Sequence, residues 1–480
     1  VPQHFLSAFP FDLSISFPIP FKMSAVFASL IAAYPTWESL KTYLTSEEGG
    51  RISVFETTEP LAMIRYVKGQ SKMEMSHVGA FRSVVWNTAT NRPVSVTPFK
   101  SEKGEGFPAP DVTSNDLAIT VEEFVDGVLI GQFWDGQAWR IHTRSTLDAK
   151  CRYFSKRSFA ELFEEAFAAT FSTDLVLDKE ISYTWILCHP ENRIVCPVPT
   201  PKVKLVQTVR IAENGDICKA TVDVARPTVY YVKEAGMNMG RMNVSNIMDV
   251  VGMTNRRPDD ITHVPEMTPS WSPDTLLGAI HMLTGIVTMG PVRHQGVVIK
   301  VGDDFRRWKL RTGAYNTVRK MRGNSARRDF LWMDMWSKGS LEGYLKYYPE
   351  ERAPCNDLIA RWKTITQAVH KIYVDAFKAR TLDRREIPQK YRPLVYGLHN
   401  LYMTGLKPSN KSLDWRETVR WMNDRDTAQK VFVLNWDIRQ ERSSAYPVEP
   451  APTASLLPAL LPIPETTAET TAETTAETTQ

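Results

Sequence analysis

The chain predicts an α+β fold followed by an all-helical region. Between residues 50 and 311 short apolar segments alternate with turn residues, the pattern of strands. One segment inside that stretch, 157–171, switches to helical spacing, and from residue 314 onward the helical period takes over. Strands first and helices afterwards mark an α+β protein or separate domains rather than a doubly wound sheet. With 480 residues, 43% of them hydrophobic and 23% charged, the composition is globular and leaves room for two or three cores.

The elements follow in order. Residues 24–46 read as helical. Ile52–Phe55, Met63–Val67, Phe81–Trp86 and Ile119–Val121 read as strands, and Ile119–Phe133 and Trp139–Thr143 flank Asp135-Gly136, a hairpin signal. Phe159, Leu162, Phe163, Ala166 and Phe167 give 157–171 one apolar helical face. Strands are expected again at 181–187, 193–198, 203–211 and 216–224. Residues 236–275, rich in Met, Asn, Pro and Asp, read as an inserted loop or lid; Val297–Val301 and Arg307–Leu310 read as two further strands. Leu358, Trp362, Ile365, Val369 and Ile372 form the clearest helical stripe. The expected organisation is a leader at 1–22, an α+β domain at 23–324, an all-α domain at 325–440 and a tail at 441–480. The leader carries four prolines and no basic start, unlike a signal peptide, and Met23 begins the first helical pattern. The tail, Pro-rich and then repeating Glu-Thr-Thr-Ala, has too little apolar surface to offset its ordering entropy.

Composition also excludes. Five cysteines (151, 188, 196, 218, 355) form no CxxC pair, which argues against a disulfide framework and for a reducing, cytoplasmic setting. No uninterrupted 18-residue apolar run exists, so no membrane helix is expected. There is no GxxxxGK[ST] loop, no HExxH and no GxSxG, and Gly104-Glu105-Gly106 lies in a Pro- and Lys-rich loop, a poor dinucleotide fingerprint.

Formal charge is only +4, yet residues 306–328 hold nine Lys or Arg and no acid, with Trp308 and Tyr315 interleaved. Such a run suits phosphate, through charge-assisted hydrogen bonds and counterion release, and its aromatics suit stacking on bases; a solvated basic helix is the plainer alternative. On a strand, Arg307, Lys309 and Arg311 share one face, with Trp308 and Leu310 packing behind. Arg306, Arg319, Lys320 and Arg322 belong to the same run, and with Arg193 they are the candidate RNA contacts. Asp126-Gly127 interrupts a hydrophobic strand, a place where a ligand can approach the backbone, although turns supply most such pairs. Arg144 ends the returning strand. His189-Pro190 breaks another strand, and His189 reads as a turn or core histidine more readily than a base. It has no second His or Cys at zinc-ligand spacing, so no metal residues are assigned.

Taken in order, these segments resemble the covalent nucleotidyltransferases, in particular the bacteriophage-type RNA ligases. Phe124-Val125-Asp126-Gly127 stands where that family has Lys-x-Asp-Gly. His189-Pro190-Glu191-Asn192-Arg193-Ile194-Val195 is the closest match to the third motif, and Gln295-Gly296-Val297-Val298-Ile299 corresponds to Glu-Gly-x-Val-x. Lys309-Leu310-Arg311 corresponds to Lys-x-Lys; upstream, the Arg82 segment and Pro98-Phe99-Lys100 resemble the Arg-Gly strand and the phosphate-binding lysine segment. The likeness spans roughly residues 25–325. It implies an ATP-grasp-like nucleotidyltransferase domain, and ATP with Mg²⁺ if active. It further implies nucleotide contacts from Arg82, Lys100, Asp126, Gly127, Arg144, Gln295, Lys309 and Arg311, and RNA 5′-phosphate ends, tRNA-like ones included, as partners. The sequence departs where the chemistry is concentrated: the nucleophilic lysine is Phe124, and the acids of the third and fourth motifs are Ile186 and Gln295. A phenyl ring cannot attack a phosphate, so the resemblance implies a protein of RNA end repair or RNA end binding that is degenerate for lysyl-AMP formation. The helical part, with Arg327, Arg328, Arg361 and Lys363, would help hold a structured RNA. The alternatives are an active, divergent ligase using a displaced lysine (Lys100 or Lys103), a non-enzymatic virus-type nucleic-acid-binding protein, and a scaffold whose basic run binds an acidic partner.

Overall fold

A computed structural model describes residues 23–445, apart from 104–116, 172–174, 223, 225, 238–239, 244–293 and 303–304. The expected leader, most of the expected lid and all but the first residues of the expected tail therefore lie outside the described residues. The described chain packs as two units, one running to Asn316 and the other starting at Thr317.

The first unit is α+β, as the sequence pattern predicts, and is built on three mainly antiparallel sheets. The N-terminal segment is not one helix. Pro35 divides α1 (Val26–Ala33) from α2 (Trp37–Thr45), and Thr36 caps α2 by accepting from the Ser39 amide. Phe27 of α1 packs edge-on against Phe81, at 5.5 Å, over a four-stranded sheet. That sheet is β1 (Ser53–Glu56), β2 (Leu61–Arg65), β3 (Val84–Asn87) and β4 (Arg92–Val96), in that order.

Two larger sheets share the next strands. β5 (Glu102–Lys103), β6 (Ile119–Glu123), β12 (Val229–Lys233), β13 (Arg241–Met242), β14 (Gly296–Val301) and β15 (Arg307–Arg311) form one, in the order 13-12-6-14-15-5. β7 (Val128–Trp134), β8 (Trp139–His142), β9 (Ile181–Cys188), β10 (Lys202–Ile211) and β11 (Ile217–Lys219) form the other, in the order 11-10-9-7-8. The Asp135-Gly136 turn joins β7 to β8 as expected, with Trp134 opposite Trp139. β9 is buried along its whole length because both faces are covered. Tyr183, Trp185 and Leu187 meet Phe159, Leu162, Phe163 and Ala166 of α3 (Phe159–Thr170), whereas Ile186 and Cys188 meet Val125 and Leu129 on the opposite face. A capping box between Ser158 and Glu161 starts α3.

Two strand expectations are corrected. Residues 193–198 pair with no strand, because the amides of Val195 and Cys196 donate instead to the Asp126 carboxylate, at 3.0 and 2.8 Å. The Val195 carbonyl is taken by the Arg193 guanidinium at 2.9 Å. Among the described residues of 216–224 only Ile217–Lys219 is strand.

His142 joins two of these sheets. Fully buried, it meets Ser95 of β4 at 2.8 Å through Nε2 and the Thr143 carbonyl at 2.8 Å through Nδ1, and Ser95 in turn reaches Ser182 of β9 at 3.0 Å. Burial pushes its pKa down to about 4, partly opposed by the Thr143 carbonyl. The folded imidazole is therefore neutral at pH values where an unfolded one, titrating near 6.5, takes a proton. Stability conferred by the neutral ring is complete above about pH 6.5 and falls as the pH drops toward 4, by roughly 3 kcal/mol in all. Buried His77 in the same unit is shifted the same way. Chemical denaturation between pH 7 and 4.5 should show this slope in the wild type and a clearly shallower one in His142→Gln; equal slopes would contradict the assignment.

The second unit is helical. After α4 (Gly313–Arg322), whose first residues belong to the first unit, come α5 (Arg328–Ser337), α6 (Leu341–Leu345), α7 (Arg352–Tyr373) and α8 (Arg392–Leu401). α9 (Trp415–Asn423), α10 (Thr427–Leu434) and α11 (Trp436–Ala445) complete it. On α7 the expected stripe of Leu358, Trp362, Ile365 and Val369 is buried, and Tyr373 extends it in place of Ile372. No helix among the described residues is long and apolar enough to cross a membrane.

Candidate functional site

The short link 124–127 carries the chain from β6 in the six-stranded sheet to β7 in the five-stranded sheet. A pocket opens beside it, with about 590 Å³ of empty space that is partly open to solvent. Its floor is apolar: Val125, Leu129, Ile186, Val206 and Val298. Its polar lining comprises Arg82, Ser101, Glu122, Glu123, Arg307, Lys309 and Arg311, with Phe124 beside them.

The alternation expected of 307–311 is what puts three cations on one wall. β15 pairs with β14 from Arg307↔Lys300 to Arg311↔Gly296, Trp308 faces inward with no exposure, and Arg307, Lys309 and Arg311 point to the pocket. Arg307 is steadied by its Nε donating to the Phe99 carbonyl at 3.2 Å. Arg311 lies over the Phe124 ring, 5.1 Å from its centroid.

Two carboxylates that sequence reading left without a role also line the pocket. Glu122 is ion-paired with Lys300, and Glu123 with Lys204. Burial alone would raise the Glu123 pKa, but the Lys204 ammonium, aided by the Thr228 amide and His294, holds the carboxyl below its usual range. Two consecutive acids inside an apolar strand were the available signal. Both are already matched by lysines, and among the described residues no three His, Cys, Asp or Glu stand together as metal ligands. With both carboxylates matched by lysines, Arg82, Arg307, Lys309 and Arg311 make the lining suited to an anion.

The other expected site residues are placed differently. Asp126 turns away from the lining: its Oδ2 accepts from Val195 and Cys196, and its Oδ1 accepts from the Tyr315 hydroxyl at 2.7 Å. Gly127 is needed for a neighbouring strand, not a ligand, since a Cβ there would lie 2.3 Å from the Leu187 carbonyl oxygen. The Asp-Gly pair thus sits in the inter-sheet link rather than within a strand. Arg144 stacks over Tyr66 at 4.7 Å and donates to the carbonyls of Arg82 (3.3 Å) and Tyr66 (3.1 Å), buttressing the Arg82 segment from behind. Lys100 is half-buried, with its amide donating to the Gly79 carbonyl, and is not among the lining residues; Lys103 pairs in backbone register with Lys309. Gln295 is buried, and its hydrogen-bonding neighbours orient its amide toward Arg311.

Of the expected RNA contacts, Arg307 reaches the pocket; Arg306 pairs with Glu102 at 3.3 Å and lies over Trp308, and Arg193 folds back on Val195. In the second unit Lys320 is exposed and Arg319 half-buried, but Arg322 is only 3% exposed. Its guanidinium donates to the Tyr344 hydroxyl at 2.6 Å and to Glu351 at 3.1 Å, so the basic run is partly an internal structural element. Arg328 also faces Glu351, and Arg361 donates to the Leu434 carbonyl.

No protein-family model matches the chain. It is 27% identical over 135 residues to the immediate-early protein ICP-46 of Frog virus 3, a match covering 22% of this chain. The chain spans about a third (34%) of that curated relative's length. Among solved structures, an archaeal ATP-dependent RNA ligase is similar in two forms, with TM-scores of 0.31 and 0.33 at 11% and 10% identity. Each comparison covers 71% of this chain and 82% of the other.

Proposed function

We propose that the first unit binds a nucleotide or an RNA 5′-phosphate end without covalent attachment, as an RNA-ligase-like protein of RNA end repair or end protection. The observation that carries this reading is the convergence of Arg82, Arg307, Lys309 and Arg311 on one pocket whose carboxylates are already ion-paired with lysines. Such a wall favours phosphate oxygens, and the apolar floor favours a base or sugar face. Phe124, at the edge of the lining, offers no amine to form a phosphoramidate.

Titration of a 5′-phosphorylated RNA oligonucleotide and of ATP tests the reading. The Lys309→Ala, Arg311→Ala double variant should bind at least a hundredfold more weakly, since each charge-assisted bond contributes roughly 1.5–3 kcal/mol. Thermal stability should hold to within about 1 kcal/mol, because part-exposed cations add little to folding. Unchanged affinity removes the pocket from the binding site. Incubation with α-labelled ATP should leave no label on the denatured chain; a stable AMP adduct overturns the non-covalent reading.

A further inference from the structure

The helical unit concentrates positive charge outside the run at 306–328. Residues 371–411 hold nine Lys or Arg against three acids, a surplus larger than the formal charge of the whole chain, +4. Arg380, Arg384, Arg385 and Lys407 of this segment are exposed, and among the described residues none of the four forms an ion pair. One of the three acids, Asp383, accepts from the Arg385 amide at 2.9 Å as a helix cap.

Aromatic rings lie beneath these cations. Tyr373, 2% exposed, stacks on Phe377 at 5.4 Å, and Phe377 stacks on His399 at 4.0 Å. Tyr396 meets Phe377 edge-on at 6.0 Å and stays 45% exposed. The Arg384 guanidinium lies over the Phe377 ring, 4.6 Å from its centroid. Burial first, then Arg384 and Lys407, hold the His399 imidazole below its ordinary range, so the ring is neutral at neutral pH. Its Nδ1 is buried without a hydrogen-bond partner, and stacking holds it in place. Both helices that supply the cluster depart from α geometry there. α7 runs on into a π-helical turn at Val374–Ala379, which ends at Arg380 in the left-handed region, φ 57°. α8 runs on into another at Tyr402–Leu406, closed by the Lys407 amide on the Tyr402 carbonyl at 2.8 Å. Such turns are uncommon and recur at functional sites.

We propose that this aromatic cluster and its cations bind a single-stranded polynucleotide, with unpaired bases stacking on Tyr396 and on the Arg384 plane and phosphates meeting Arg380, Arg385 and Lys407. Unpaired cations attract any polyanion, but planar groups beside them add affinity only for a ligand that carries a flat face alongside its phosphates. An acidic peptide lacks those faces, and a duplex keeps its bases stacked inside. Arg384 is already laid flat on Phe377, so its plane is presented with little further ordering cost. None of these residues belongs to the pocket of the first unit, and the site does not depend on that pocket's role.

Fluorescence anisotropy of the full chain with a labelled oligo(A) RNA strand ending in a 5′-hydroxyl tests this, because that probe lacks the terminal phosphate proposed for the pocket. Thermal unfolding alongside establishes that each variant is folded. The wild type should bind the single strand at least about tenfold more tightly than the same strand annealed to oligo(U). Tyr396→Ala and Arg384→Ala should each lose about tenfold, whereas Tyr396→Phe should retain wild-type affinity. Arg384→Lys, which keeps the charge but not the plane, should lose about threefold. Arg380→Ala combined with Arg385→Ala should flatten the slope of log affinity against log salt by about 0.7 per cation removed. Equal affinity for strand and duplex, or displacement by polyglutamate as readily as by unlabelled strand, would reduce the surface to a general polyanion site and overturn the base-stacking assignment. Binding untouched by Tyr396→Ala and Arg384→Ala overturns it as well; if Lys309→Ala, Arg311→Ala alone abolishes binding of this probe, the pocket is the site instead. A folded wild type that binds no single strand at low salt removes the proposal outright.

Discussion

Gly296→Ala is expected to abolish ligand binding and to destabilise the first unit by about 4 kcal/mol or more. Gly296 has φ near +145°, a region L-residues rarely occupy, and a Cβ there would lie 1.9 Å from the Leu310 carbonyl oxygen. The clash is with backbone, so no side-chain rotation relieves it. β14 and β15 would have to separate at the register pair Gly296↔Arg311, which also carries the carbonyl that accepts from Phe124. The cost therefore falls on the strand ends that hold Arg311, and binding should fail before global unfolding does. Thermal unfolding and phosphate-probe titration of the variant check this; a variant with wild-type midpoint and affinity would show that the close crossing is not needed.

Glu351→Ala is expected to cost the helical unit about 3–5 kcal/mol. The carboxylate, 3% exposed, accepts from Arg322 at 3.1 Å, the Trp332 indole at 2.9 Å and the Tyr344 hydroxyl at 2.6 Å. Burial alone would raise its pKa, but the Arg322 guanidinium, aided by Tyr344 and Arg328, holds it below the usual carboxylate range. Removing it strands a guanidinium that is itself buried, along with two orphaned donors. The sign in pH follows from the depressed value. The contribution is complete above the unfolded carboxylate range, near pH 4.5, and is lost as the pH falls through the lower folded value. Urea unfolding followed by helical circular dichroism should show the loss at pH 7, with Glu351→Gln intermediate. A change below about 1 kcal/mol would mean the pair is solvated in solution.

The Arg322 result shows how far a charge run can be read. Nine basic residues in 306–328 look alike along the chain, yet five of them already fall into three different settings: pocket lining (Arg307, Lys309, Arg311), a surface pair (Arg306 with Glu102) and a buried strut (Arg322 with Glu351). Strand alternation separates the first group, because period two assigns faces without any knowledge of the partner strand. Nothing local distinguishes Arg322 from Lys320, since the acid that claims it lies 29 residues away. The strand expected at 193–198 fails for a related reason. Its β-like composition is real, but its amides are taken by Asp126, 69 and 70 residues upstream.

The order of strands and helices, the Asp135-Gly136 hairpin, the cationic face of 307–311 and the absence of an amine at 124 are all written in the chain's local chemistry, because periodicity, turn residues and side-chain type act over a few residues. Which carboxylates face the pocket, that Asp126 serves as an anchor rather than a ligand contact, and that Phe124 and Gln295 converge on Arg311 depend on strands far apart in the chain lying side by side. Packing and cross-strand register set those distances, and no short-range signal encodes them.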